Sequence, residues 1–421
     1  MDKFIVKGKT PLRGDISISG SKNAALPLLA AALLTDEPVR LSNVPRLQDI
    51  YTFNNVLRVV GAQVQFLEDQ NEVHIDASNV NYLEAPYDLV RKMRASFYML
   101  GALVGKHGYA KVSMPGGCAW GPRPVDLHLK GLEAMGIQIT LDKGYVIAKA
   151  GQQVPGGSFR LEPSSVGATI NLILAAVLRA DSFRIENAAK EPDVVQLCRV
   201  LNEMGARIEG AGTDTIHIWK VDKLSGGSFR NDPDRIEVGT FMIAAAMHPE
   251  SHLLLLGCNA DHLGNFPELL RQTGAQVNIG GETIEVKAPE VLHPVSITTD
   301  IYPGFPTDLQ AQWATMLTQA KGISTVTDTV YFDRFSYVPE LNRLGANLKV
   351  EQNKVTIQGP CELEGASVMS TDLRASVSLV LAGMVAENSS EILRIYHLDR
   401  GYESLEGKLN AVGAKLTRAQ E

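Results

Sequence analysis

Cysteine is scarce in this chain: four in 421 residues, at positions 118, 198, 258 and 361, with no CxxC pair among them. That spacing excludes a zinc-ribbon ligand set and a disulfide framework, and it leaves room for a free reactive thiol. Long apolar runs are lacking as well. The longest, about Ala24 to Leu34 and interrupted by Pro27, falls short of the roughly 18 residues that would suggest a span. The opening MDKFIVKGKTPLRGD has no apolar signal region, so a soluble, cytoplasmic protein is expected. A basic excess is also missing. Lys plus Arg total 40 against 47 Asp plus Glu, for a net charge of −7, which argues against a nucleic-acid protein. Any anionic ligand must therefore be caught by a local cluster of cations. There is no GxxxxGK[ST] loop, no GxGxxG after a strand, no HExxH, no acidic EF-hand loop and no GxSxG elbow. Phosphate-loop, metal-dependent and triad chemistry thus lack a signature, and neither a metal nor a cofactor is expected.

What the chain does contain is repetition. The pieces VLRVVGAQV, GLEAMGIQI, VLNEMGARI, LLRQTGAQV, ELNRLGANL and KLNAVGAKL place glycines at 61, 136, 205, 274, 345 and 413, spaced 75, 69, 69, 71 and 68 residues apart. Each glycine stands where a helix C-terminus takes a left-handed residue, and an alternating stretch follows that reads as a hairpin. Some thirty-odd residues before each comes a second, more apolar helix: NAALPLLAAALL, RASFYMLGALVG, GATINLILAAVL, VGTFMIAAAM, LQAQWATMLTQA and RASVSLVLAGMV. All-round apolar helices belong inside a domain and amphipathic ones nearer its surface.

A length of 421 residues with 45% hydrophobic residues is enough for two full domains. The sixth repeat stops one strand short, at AKLTRAQE, while the chain begins with an orphan strand, KFIVKG. The N-terminal strand is therefore expected to complete the last repeat. This predicts a discontinuous domain of residues 1–20 and 233–421 and an inserted domain of residues 21–232, three repeats in each. Two crossings between them suit hinge closure over a cleft.

Several cations stand just before an apolar helix or in the turn leading to an amphipathic one. Lys22 opens SKNAALP, Arg94 opens RASFYM and Arg374 opens RASVSL, while Arg123, Arg334 and Arg400 stand in GPRPVDL, DRFSYVPEL and DRGYESL. Helix N-termini attract anions, so a cation there favours phosphate or carboxylate. Any one of them could instead be solvated, or paired with a carboxylate such as Asp372 or Asp399. Cys118 poses a separate question, because MPGGCAWGPRPVDLH surrounds it with three glycines and three prolines rather than an apolar element. An incidental loop thiol and a reactive one are both compatible with that setting.

From MDKFIVKG to DRGYESLEGKL, through GSKNAALP, MRAS, PGGC, RPVDLH, SVGAT, PDRIEVGTF, FPTDLQAQ and TDLRASVSLVLAG, the chain resembles the enolpyruvyl transferases that act on UDP-N-acetylglucosamine in bacterial peptidoglycan synthesis. The resemblance implies an α/β fold of two domains, each of three βαβαββ units, called an inside-out α/β barrel. It also implies transfer of the enolpyruvyl group of phosphoenolpyruvate to the sugar 3-hydroxyl, with release of phosphate by addition and elimination. By the same resemblance, Cys118 matches a loop cysteine described as proton donor and covalent partner of phosphoenolpyruvate. A thiol near cations titrates in a useful range, and a glycine-rich lid could carry it inward.

Asp308 of FPTDLQ matches the aspartate placed against the sugar hydroxyl, where a carboxylate can take its proton. It could also cap the helix that starts there. Lys22, Arg123 and Arg400 match the cations on the phosphate of phosphoenolpyruvate, with Arg334 and Arg374 matching others of the cleft. Asn23 and Arg94 match residues that bridge the substrates. Arg123, Pro124, Val125, Asp126 and Leu127 match the uridine-holding segment, and Ser164, Ser165, Val166 and Gly167 the turn at the nucleotide phosphates. Val330 matches a position on the sugar side, while Glu191 and His128 fit supporting roles. Cys198 and Cys258 read as packing residues.

The chain departs from the family at Pro163, where a lysine is common, and at Gln48, another basic position, although Arg46 is close by. Trp120 and Pro122 replace smaller or aliphatic residues in the cysteine loop. Loss of cations should weaken nucleotide binding, and Pro122 should stiffen the lid. Two alternatives stay open: the sister enzyme making 5-enolpyruvylshikimate 3-phosphate, against which PGGC and SKNAALP stand, and a catalytically silent paralogue that binds a nucleotide sugar.

Overall fold

The computed structural model describes residues 2–90, 93–114 and 125–420. The chain divides into two compact units, one of Met1–Ser19 with Pro233–Glu421 and one of Gly20–Asp232. Each has its own apolar core, with Phe53, Leu100 and Leu172 in the second and Phe241, Trp313 and Leu379 in the first.

Among the described residues the strands form six four-stranded sheets, three in each unit. One sheet shows the common plan. Val154–Arg160 runs parallel to Ala180–Glu186, which pairs antiparallel with Thr215–Trp219, which pairs antiparallel with Arg207–Glu209. In the last repeat the place of the third strand is taken by the N-terminal strand Asp2–Lys7, which lies between Ser389–Leu393 and Lys415–Gln420 with Phe4 opposite both Ile392 and Arg418. The expected completion of the sixth repeat is thus present.

The two helix types alternate as expected. The apolar helices are Lys22–Ala31, Tyr98–His107, Val166–Ala176, Arg235–Met247, Gln310–Leu317 and Leu373–Val385; from Tyr98–His107, the residues Met99 to Gly105 are all buried. The six turn glycines all adopt φ between +92° and +110°, a region that a side chain strongly disfavours. Three residues before five of the six glycines, all but Gly136, the repeat carries a side chain that ties the helix to its following strand. Asn202, Asn342 and Asn410 each donate to and accept from the backbone of Ile208, Leu348 and Leu416, while Arg58 and Arg271 donate to the carbonyls of Val64 and Val277. No helix among the described residues is long and apolar enough to cross a membrane.

Candidate functional site

The unit of Met1–Ser19 and Pro233–Glu421 holds Asp308, Val330, Arg334, Arg374 and Arg400. Asp308 lies in the 3-10 turn Thr307–Leu309 that leads into Gln310–Leu317. The alternative capping role is not seen: neither the turn nor the helix has a side-chain cap. The carboxylate is drawn instead to two guanidinium groups, Oδ1 lying 2.8 Å from Arg334 Nη1 and Oδ2 3.0 Å from Arg374 Nη2. Burial works to raise the Asp308 pKa, but the charges and hydrogen bonds of Arg374 and Arg334 prevail and hold it well below the usual carboxylate range.

Arg374 is buried at the second position of Leu373–Val385. Asp372, weighed as a partner for the arginines, is the N-cap of that helix and accepts from the backbone N–H groups of Arg374 and Ala375, whereas the Arg374 side chain goes to Asp308. Asp399, the other such carboxylate, pairs with Arg418 at 2.7 Å. Arg400 closes the 3-10 turn Ile395–Arg400 and is half-buried. Val330 is exposed, and its segment is pinned by Asp328, a fully buried residue that sequence reasoning missed. Asp328 accepts from the backbone N–H groups of Val330 and Tyr331 and from the hydroxyls of Thr299 and Thr307, so it joins the Val330 segment to the turn of Asp308.

The unit Gly20–Asp232 holds the remaining described candidates. Ser21 caps Lys22–Ala31 by accepting from the Ala24 N–H, which places Lys22 and Asn23 in the first turn. Lys22 Nζ lies 3.1 Å from Oδ2 of the buried Asp49, a second carboxylate that sequence reasoning missed; it sits next to Gln48 in the first turn of Gln48–Val59. Arg94 opens the short turn Arg94–Phe97 that runs into Tyr98–His107. Val125 is buried at the start of Asp126–Met135, while Asp126 is exposed and pairs with Lys130 at 3.3 Å.

Ser164 to Gly167 lead into Val166–Ala176, and Ser165 caps that helix by accepting from the Ala168 N–H. Facing this end is His128, buried from solvent, whose Nδ1 accepts from Asn171 Nδ2 at 2.8 Å. The ring proton therefore sits on Nε2, which has no partner among the described residues and lies within 3.3 Å of where a Cβ on Gly167 would stand. Burial, with Arg94 adding to it, lowers the His128 pKa to about 3, so the ring is a neutral donor at ordinary pH. Asn171 was missed too. Besides His128, it donates to the Phe97 carbonyl and accepts from the Gly101 N–H.

Cys118, Arg123 and Pro124 lie outside the described residues. Cys198 and Cys258 are buried free thiols, both pushed up to about 12 by burial, as packing residues would be. No group of three or more metal-ligating side chains occurs among the described residues.

Six βαβαββ repeats in two units, with a carboxylate held by two arginines in one and a lysine paired with a buried carboxylate in the other, define an α/β protein of the inside-out barrel class. The chain matches the EPSP synthase (3-phosphoshikimate 1-carboxyvinyltransferase) family over residues 6–409. It is 47% identical to a UDP-N-acetylglucosamine 1-carboxyvinyltransferase of Chlorobaculum parvum, covering 100% of this chain and 99% of that one. It is 48% identical to a protein of the same name from Pectobacterium carotovorum, covering 100% of both. Among solved structures it superposes on the enolpyruvyl transferase NikO from Streptomyces tendae with a TM-score of 0.90 at 26% identity, over 100% of this chain and 99% of that one. An EPSP synthase from Acinetobacter baumannii, at 19% identity and a TM-score of 0.78 over the full length of both chains, shares the fold. The chain belongs to the enolpyruvyl transferase family and is a carboxyvinyltransferase.

Proposed function

We propose that the chain transfers the enolpyruvyl group of phosphoenolpyruvate to the 3-hydroxyl of UDP-N-acetylglucosamine, in the cytoplasm, at the first committed step of peptidoglycan synthesis. The observation that carries this reading is full-length identity of 47–48% to relatives named UDP-N-acetylglucosamine 1-carboxyvinyltransferase. The sugar oxygen attacks C2 of phosphoenolpyruvate while C3 gains a proton, giving a phosphate-bearing ketal. C3 then loses a proton as the C2–O bond to phosphate breaks, restoring the double bond.

Asp308 takes the proton of the sugar hydroxyl. Paired as it is with Arg334 and Arg374, its carboxylate is a weak base. Ligand anions that draw those guanidinium groups toward themselves strengthen it. Lys22, Arg123 and Arg400 hold the phosphate and stabilise charge as it departs. Cys118 protonates C3. Ser164 to Gly167 and residues 123–127 hold the nucleotide, with Asn23 and Arg94 between the substrates and Val330 beside the sugar.

The test is phosphate release from phosphoenolpyruvate, with and without the sugar nucleotide, in wild type, Cys118→Ala and Asp308→Ala. Release that needs the sugar nucleotide and collapses in both variants supports the reading. Affinity for the sugar nucleotide with no release in wild type overturns it in favour of a binding protein.

A further inference from the structure

Behind the Asp308–Arg374 pair lies a buried polar chain whose direction can be worked out atom by atom. Thr240, on the apolar helix Arg235–Met247, donates its hydroxyl proton to the Ile236 carbonyl at 2.8 Å. A hydroxyl has one proton, so Thr240 Oγ1 can meet the Tyr402 hydroxyl, also at 2.8 Å, only as acceptor. Tyr402 therefore donates to Thr240. Its oxygen is left with lone pairs directed at Arg374 Nη1 and Gln312 Nε2, each at 3.3 Å. Gln312 Nε2 in turn donates to the backbone carbonyl of Asp308 at 3.0 Å.

Arg374 is thus held from both ends of its guanidinium, by Tyr402 on Nη1 and by Asp308 on Nη2, with its Cζ 5.9 Å from the centre of the Tyr402 ring. Tyr402, Thr240 and Gln312 are all buried, so water does not compete for these bonds.

We propose that Tyr402 is a positioning residue of the enolpyruvyl transfer: its hydroxyl, with the proton committed to Thr240, presents a fixed acceptor that aims Arg374 at Asp308. This rests on the reading of Asp308 and Arg374 given above. The Tyr402 hydroxyl stays protonated because burial raises its pKa, more than Arg374 lowers it. The groups bearing on Asp308 are Arg334, Arg374 and, through Arg374, Tyr402 and Asp234.

Tyr402→Phe keeps the ring and removes the acceptor. The expected result is a fall of about tenfold in kcat/KM for phosphoenolpyruvate, the size of one hydrogen bond to a charged group. The acid limb of the kcat/KM profile, which reports the free enzyme, should also move to higher pH, because a loosened Arg374 no longer holds the Asp308 carboxylate down. A residue that merely fills space would lower the unfolding temperature without moving that limb. Thr240→Val, which releases the Tyr402 proton, should move the limb the same way, and the double variant no further than Tyr402→Phe alone. An unshifted limb in Tyr402→Phe overturns the proposal while wild-type release leaves the parent reading standing. A crystal structure of Tyr402→Phe with Arg374 Nη2 still seated on Asp308 overturns it whatever the activity.

Discussion

Acidification should weaken the unit Gly20–Asp232 through His128, and the size of the effect follows from where that ring sits. In an unfolded chain the imidazole takes up a proton near pH 6.5, whereas in the folded unit its pKa is lowered to about 3. Between those values the unfolded state binds the proton and the folded state does not, so the stabilisation is complete above pH 6.5 and is lost as pH falls toward 3. The slope is about 1.4 kcal/mol per pH unit for one fully released proton. From pH 6.5 to 4.5 the loss attributable to His128 is therefore about 2–3 kcal/mol. His128 is 3% exposed, so little solvent screening reduces this figure. Carboxylates and other histidines, such as His107 and His248, also respond over this range, so the measurement is a difference. Urea unfolding at pH 7, 5.5 and 4.5 would be compared between wild type and His128→Gln, whose amide oxygen can still accept from Asn171. The variant should start less stable and lose less on acidification. Parallel slopes, or an NMR titration in which the His128 ring protonates near pH 6.5, would refute the reasoning that burial keeps this ring neutral.

Three further outcomes follow. Fosfomycin, the epoxide that alkylates the loop cysteine in the family, should add one adduct at Cys118 and none in Cys118→Ser; Cys198 and Cys258 should stay unmodified in the native protein because both are buried thiols pushed up to about 12. Intact-mass and peptide mass spectrometry read this directly, and an adduct at either buried cysteine would contradict it. Gly101→Ala should destabilise the unit Gly20–Asp232 by about 2–3 kcal/mol or block its folding, since a Cβ there would collide with the backbone carbonyl of Asn171 where two apolar helices pack. Thermal unfolding of the purified variant measures it. Asp328→Asn should lower activity without touching substrate, because Asp328 uses both oxygens to hold Thr299, Thr307 and the backbone of Val330 and Tyr331. A wild-type kcat/KM in that variant would show that the turn of Asp308 does not depend on this carboxylate.

The repeat was legible in the sequence because its signals are local. A glycine at a helix end, an apolar stretch of helical length and an alternating hairpin each act within a few residues, so their sixfold recurrence can be read directly, along with the missing strand that Asp2–Lys7 supplies. The tying side chain three residues before five of the six glycines was equally local and was overlooked, although LN recurs there in three repeats. The site was legible only as a set of residue types. That Asp308 lies against Arg374, 66 residues away, rather than capping its own helix, is a matter of which loop ends the packed repeats bring together. The same holds for Lys22 with Asp49, for His128 with Asn171 and for Tyr402 with Thr240, 162 residues apart. Sequence by itself therefore determined the elements, their order and the chemical inventory, whereas tertiary structure decided which charges are paired and which protons are committed, because electrostatic and hydrogen-bond energies depend on distances through space that no local periodicity encodes.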